Sequence, residues 1–294
     1  MRVGVDIPYL ASSDEVTRYA QAMEELGFDH IGFSEHVCST VDSQFPAPFF
    51  TFEEPWRETV TMATFVVAVT QRIEVNPAMM LVPLYHPVLA AKQLAEIAGL
   101  SEGRLRVAAS IGWNHREAES LGVDPATRGA RFEEQIDVMR RLWSEPVVDH
   151  AGRFFELRQV GISPRPAAPI PLWMGAGRID QGGFPSRFAV ARAARVADGF
   201  KFAAPTFLDR DQVARHVDEL RVAVGAAGRD PDQFGIEVRM IAHETKPPEW
   251  SGVVRWAKAL GVSHFGFANR IVGGSLDDQI EMCRQFLGET RESW

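Results

Sequence analysis

The chain has 294 residues, 46% of them hydrophobic and 24% charged; this ordinary globular composition excludes a disordered or fibrous protein and allows either one large barrel or two domains. A formal net charge of -8 argues against nucleic acid as a main partner, because phosphate binding needs a basic face. Cys38 and Cys283 are the only cysteines, too far apart for a disulfide framework and in keeping with a reducing cytoplasm, and no run of about 20 apolar residues offers a membrane span.

Strand-like and helix-like segments alternate from the first residues onward. Val3–Ile7 reads as a strand rather than a signal peptide. Ser13–Leu26 places Val16, Tyr19, Ala20, Met23 and Leu26 at helical spacing, with Ser12 or Ser13 as N-cap and Gly27 closing the end. Phe28–Phe33 is the second strand, with His30 free to face outward, and it stops on Ser34, Glu35 and His36. Then follow a helix over Pro55–Thr70, a strand over Ile73–Leu81, a helix over Pro87–Gly99 and a strand over Arg104–Ile111. Helices at His115–Leu121 and Arg128–Trp143 precede strand Leu172–Gly175. Helix Pro185–Val196, strand Gly199–Ala203, helix Asp209–Ala227, strand Phe234–Ala242, helix Glu249–Leu260, strand His264–Ala268 and helix Leu276–Leu287 complete the chain.

Strand and helix repeated about eight times, with nearly continuous apolar strands, predict a (β/α)8 TIM barrel spanning 1–294 as one domain. A dinucleotide-binding doubly wound sheet is disfavoured, since the turn after the first strand, Pro8-Tyr9-Leu10-Ala11-Ser12, lacks glycine. Residues 37–54, with Phe45, Phe49, Phe50 and Phe52, and residues 144–171 read as irregular insertion loops at the C-terminal mouth. The aromatic loop either covers a second ligand or packs on the barrel exterior.

Ligands of α/β barrels bind at the C-terminal edge of the strands, so residues there are the candidates. Glu35 and His36 end the second strand and either carry chemistry or cap the next element. Cys38, two residues on, has no activating cation beyond His36 and is a poor nucleophile. Asn76-Pro77-Ala78-Met79-Met80 contains a proline inside a strand, which predicts a bulge. Gly112 permits close backbone approach to a ligand, Trp113 offers a flat apolar face, and Arg116 and Glu117 open a helix. Gly175-Ala176-Gly177-Arg178 is either a plain turn or a phosphate cradle, and Lys201 either serves the same anion or sits on the rim in water. No histidine or cysteine spacing suits a metal, and neither a Gly-x-Ser-x-Gly elbow nor a P-loop is present.

Several stretches together resemble the luciferase-like monooxygenase superfamily, and within it the branch of coenzyme F420 (deazaflavin)-dependent oxidoreductases. They are Gly27 to His36, Leu81-Val82-Pro83-Leu84-Tyr85-His86-Pro87, Leu100-Ser101-Glu102-Gly103-Arg104-Leu105, Gly112-Trp113 through Val123, Arg128-Gly129-Ala130-Arg131, Leu142-Trp143 and Ala197-Asp198-Gly199. The resemblance implies a flavin-like ring at the barrel mouth, resting on a non-prolyl cis peptide at Ala78–Met79, with Ser34, Met80, Gly112, Trp113 and Arg116 around it. It implies a cofactor phosphate near Gly175–Arg178, Glu35 at the ring edge, and His36 orienting substrate or donating a proton. It further implies hydride transfer to or from a small CH–OH, C=C or C=N substrate, with no membrane or nucleic-acid partner. One departure bears on the cofactor. Deazaflavin enzymes often carry Asp at the position of Glu35, whereas flavin-dependent luciferases often have Glu-His, so FMN with oxygen and a separate flavin reductase is the alternative. A homodimer is open; Trp143 and Trp256 serve either an interface or the chain's own core.

Overall fold

In a computed structural model, residues 1–39, 52, 56–177, 183–202, 209–242, 245–269 and 274–294 are described. Parallel strands β1 (Arg2–Asp6), β2 (His30–Phe33), β3 (Glu74–Leu81) and β4 (Val107–Ser110) are followed, past an inserted hairpin β5 (Val148–Ala151) and β6 (Glu156–Val160), by β7 (Leu172–Ala176), β8 (Gly199–Phe202), β9 (Gly235–Ile241) and β10 (His264–Ala268). The strands other than β5 and β6 close in chain order into an eight-stranded parallel barrel, β10 pairing back onto β1 through Val3 and Phe265. Helices α1 (Ser13–Leu26), α2 (Thr59–Val69), α3 (Pro87–Leu100), α4 (His115–Ser120), α5 (Arg128–Ser144), α6 (Arg187–Val196), α7 (Arg210–Ala226), α8 (Pro247–Ala259) and α9 (Leu276–Thr290) connect the strands. No helix among the described residues is long and apolar enough to cross a membrane.

The helix ends follow from local chemistry. Ser12 and Glu15 form a capping box at the start of α1, and Gly27 ends it in the left-handed region at φ 91°. The second helix starts later than periodicity predicts, because the Glu58 carboxylate accepts the Val60 and Thr61 N–H groups, each at 2.8 Å, and so caps Thr59 onward. Trp143 belongs to the core, its indole N–H donating to the Ala91 carbonyl at 2.9 Å, while Trp256 packs half-buried against that core. Residues 144–171 depart from the expected irregular loop: β5 and β6 pair antiparallel, and Glu134 of α5 accepts the Arg153, Phe154 and Phe155 N–H groups at 2.9–3.1 Å. Phe155 then lies 4.5 Å under the Arg131 guanidinium, so this insertion is braced on α5. Most of residues 37–54 lie outside the described residues.

The strands are not continuously apolar; they alternate with period two. Val3, Val5, Ile31, Val238, Met240, Phe265 and Phe267 enter the core against the helices. The opposite face of the same strands fills the barrel with small or ionic groups. Glu237, fully buried, meets the Lys201 ammonium at 2.8 Å and the Arg106 guanidinium at 3.0 Å; Arg106 also reaches Glu74 at 2.6 Å, and Arg239 reaches Asp6 at 2.9 Å. Burial alone would raise the Glu237 carboxyl, but Lys201 and Arg106 hold it well below the usual range. His30 points into this interior rather than outward, 3.5 Å from Glu237, and a Cβ at Gly4 would fall 2.1 Å from its ring, so β1 needs glycine there.

His264 completes the interior, its ring centroid 4.7 Å from that of Trp173. Burial, reinforced by the Arg106 charge, pulls its pKa from 6.5 down to about 3. The unfolded chain therefore takes up a proton below pH 6.5 that the folded chain refuses, and stability is lost as the pH falls from 6.5 toward about 3. Between pH 7 and pH 5 this one group is expected to cost about 2 kcal/mol. Urea unfolding at both pH values checks this: His264→Asn should remove a difference of that order, and an unchanged pH slope would contradict it.

Candidate active site

Beyond Phe33 the chain turns at the mouth through Ser34, Glu35 and His36, the last two buried. Glu35 faces its own scaffold. One oxygen accepts from the Thr59 N–H at 3.2 Å and hydroxyl at 2.9 Å, at the start of α2; the other accepts from the Leu81 N–H at 2.6 Å, at the end of β3. The Tyr85 hydroxyl donates to Glu35 and also lies 2.7 Å from Glu58. Burial raises the Glu35 carboxyl and the Tyr85 phenol, whereas at Glu58 the same burial effect is overridden by hydrogen bonds from Thr61, Tyr85 and Val60. Glu35 is thus the carboxyl of this pair that takes a proton first. Both Glu35 oxygens accept bonds from β3, α2 or Tyr85, so the side chain braces the site.

His36 stands differently. Its Nδ1 lies 2.9 Å from Glu117 of α4, whose other oxygen accepts the Val37 N–H at 2.6 Å and the Cys38 N–H at 3.3 Å. Trp56 and Trp113 present their rings edge-on to the imidazole, with centroids 4.8 and 5.4 Å away, and Tyr9 packs on Trp56 at 5.0 Å. This wall is aromatic, with Trp113 37% exposed at the mouth. Burial and the nearby Glu117 carboxylate push the Cys38 thiol up, which keeps it from acting as a thiolate.

The neighbouring strand carries the expected irregularity. The Ala78–Met79 peptide is cis, and the β3–β4 register slips there, Ala78 facing Ala108 but Met80 facing Ala109. Met79 packs with Ala78, Ala108 and Trp173 inside the barrel, while the Met80 side chain is fully buried in the core among the helices. Met80 can therefore offer a ligand only its backbone. At Gly175 a Cβ would fall 1.7 Å from Met79 Cε, so this glycine makes room for Met79. Gly175→Ala should displace Met79 and destabilise the protein by about 1–3 kcal/mol; an unchanged urea midpoint would show that Met79 has space elsewhere.

At the end of β4, Gly112 adopts φ +73° and its carbonyl accepts from Arg128 at 2.7 Å. Asn114 caps α4, its oxygen accepting the Arg116 N–H at 3.1 Å and the Glu117 N–H at 3.3 Å, while its buried Nδ2 has no hydrogen-bond partner among the described residues. The Arg116 side chain, Ala176, Gly177 and Ser34 are half-buried, and Ser34 lines a cavity of about 30 Å³ with Asp6, Tyr9, Phe33 and Trp56. Arg178 lies outside the described residues. Lys201 is corrected: it is buried against Glu237, its anion an internal one, and not on the rim. A larger cavity, about 580 Å³, opens beside Leu26, Arg255, Arg284 and Arg291 at the ends of α1 and α9, away from the strand ends that carry barrel chemistry.

Sequence reasoning missed Glu117, Tyr85, Trp56 and Tyr9. A signal existed for Glu117: Asn114-x-x-Glu117 has capping-box spacing, but the carboxylate reaches His36 instead of its own helix start. The mouth suits a planar ring with one apolar face and a polar edge. Met79 and Trp113 offer apolar surface, and among the described residues the buried Asn114 amide donor has no acceptor.

Comparison with known proteins agrees with this architecture. Residues 1–251 match the model of the luciferase-like monooxygenase family. The uncharacterized protein Rv0953c of Mycobacterium tuberculosis is 31% identical over 206 residues, 69% of this chain and 67% of its own length. An FMNH(2)-dependent dimethylsulfone monooxygenase of Pseudomonas fluorescens is 31% identical over 235 residues, 78% of this chain and 57% of its own length. Among solved structures, an F420-dependent secondary alcohol dehydrogenase in complex with an F420-acetone adduct superposes with a TM-score of 0.75 at 16% identity, over 99% of both chains. The barrel, the bulged third strand and the extent of the match establish that the chain belongs to the luciferase-like monooxygenase family.

Proposed function

We propose that the protein is a coenzyme F420-dependent oxidoreductase acting on a small, uncharged organic substrate with a C=C, C=N or CH–OH group. The observation that carries the reading is His36 held through Nδ1 against Glu117, within an aromatic wall and beside the bulged strand. The ring would rest on Ala78 and Met79, with Trp113 and Asn114 at its margin, the phosphate end lying toward Ala176 and Gly177. When bound, F420 supplies two-electron hydride chemistry at C5 of its deazaflavin ring. As the doubly protonated imidazolium His36 gives a proton to the substrate heteroatom and is left as the neutral ring with its proton on Nδ1; in the reverse direction that neutral ring receives the proton. With Nδ1 committed to Glu117, that proton passes through Nε2. Trp56, Tyr9 and Trp113 orient the substrate and exclude water.

A second reading is an FMN-dependent monooxygenase fed by a flavin reductase, favoured by the Glu35-His36 pair and by the 31% identity to the dimethylsulfone enzyme. Anaerobic assays of reduced F420 against enones and imines, run beside oxygen uptake with reduced FMN, separate the two. Oxidation of reduced F420 by an acceptor supports the proposal. Substrate-dependent oxygen uptake with FMN, and none of the F420 reaction, overturns it.

A further inference from the structure

We propose that Glu117 is the positioning residue that fixes His36 as its Nδ1–H tautomer and ties the end of β2 to the loop after β4, across the bulged β3. The role of His36 as proton carrier rests on the function proposed above; the tautomer itself does not.

The geometry is that of a buried acceptor held between two elements. Glu117 Oε1 accepts two backbone N–H groups, from Val37 and Cys38, and Oε2 faces His36 Nδ1 at 2.9 Å. A carboxylate accepts and does not donate, so the ring nitrogen opposite it carries the proton. The side chain is 2% exposed, so water does not compete for these bonds. Glu117 is in turn held by the Asn114 cap at the first turn of α4. Strand order makes the link a long one: β2 and β4 are separated by β3, whose register slips at Ala78–Met80. A hydrogen bond from α4 to the end of β2 thus fixes both walls of the mouth relative to the bulge between them.

Glu117→Gln tests the tautomer with nearly unchanged shape. The amide oxygen can still accept from Val37 and Cys38, but the amide nitrogen now donates toward His36 Nδ1, which forces the proton to Nε2. In serine proteases the analogous Asp-to-Asn change keeps the geometry and lowers kcat by about 10⁴ through the wrong tautomer. Here kcat should fall by about 10²–10⁴, with KM and F420 affinity within several-fold. The decisive readout needs no cofactor: ¹H–¹⁵N correlation spectra of the His36 ring in full-length protein, at a pH where the ring holds one proton. Wild type should show the proton on Nδ1, and Glu117→Gln should show it on Nε2. A proton on Nε2 in wild type overturns the proposal whatever cofactor is used. If the ring shows Nδ1–H but no F420 turnover is found, the Glu117 assignment stands and the F420 reading fails. Should the glutamine variant not fold, the wild-type spectrum still decides. Glu117→Asp, which keeps the charge, should retain Nδ1–H and recover part of kcat; an Asp variant as inactive as Gln, with the wild-type tautomer in both, reduces Glu117 to a structural clamp.

Discussion

Replacing His36 by alanine is expected to cut turnover by roughly two to four powers of ten while leaving F420 affinity within several-fold, as loss of a positioned acid does. The physical basis is that His36 combines three properties found together nowhere else at the described mouth. Its ring can both give and take a proton, it is held by a carboxylate at 2.9 Å, and it is enclosed by Trp56 and Trp113. Glu35, beside it, lacks the second freedom a proton carrier needs, because both its oxygens accept bonds from the scaffold. Steady-state kinetics and a binding titration on the same preparation check the prediction. Unchanged turnover removes His36 from the mechanism, and a parallel collapse of affinity makes it a binding residue.

The largest stability effect is expected inside the barrel. Glu237→Gln removes the anion shared by Lys201 and Arg106, while the ion pairs Arg106–Glu74 and Arg239–Asp6 remain. Breaking a buried charge network at one partner costs about 3–5 kcal/mol, because the remaining charges stay out of water. For a chain of this size that corresponds to a Tm lower by roughly 6–15 °C. Thermal unfolding followed by circular dichroism measures it. A loss below about 1 kcal/mol would mean that water or a relaxed side chain reaches the barrel interior.

The same interior shows what the sequence discloses and what it hides. The order and type of the barrel elements were legible, since α1 has its Ser12 cap, its apolar stripe and Gly27, and each strand carries apolar residues at the right spacing. The bulge was legible from Pro77, although the residue that fills the space behind it, Met79 against Gly175, was not. The strand interiors misled: Lys201 in Phe-Lys-Phe resembles a rim residue until Glu237, on the next strand, is placed opposite it. Likewise Glu117 and His36 meet across 81 residues of sequence, and local patterns cannot report such a pair.

The stretches that carry the family resemblance are largely braces. Arg104 caps the Val67, Thr70 and Ile73 carbonyls, Arg128 holds the Gly112 carbonyl, and Asp198 accepts the Leu172 N–H and a bidentate bond from Arg140. These residues fix loops to strands, so they report on the fold more directly than on the substrate. Glu134, outside those stretches, does the same for the β5–β6 hairpin, and so an insertion that reads as proline-rich loop is ordered.

Whether this mouth receives a deazaflavin is tested most directly by a fluorescence titration of the purified protein with F420 and, in parallel, with FMN. Tight, saturable binding of F420, with FMN bound weakly or not at all, is the predicted result. Tight binding of FMN alone, or of neither, would contradict it.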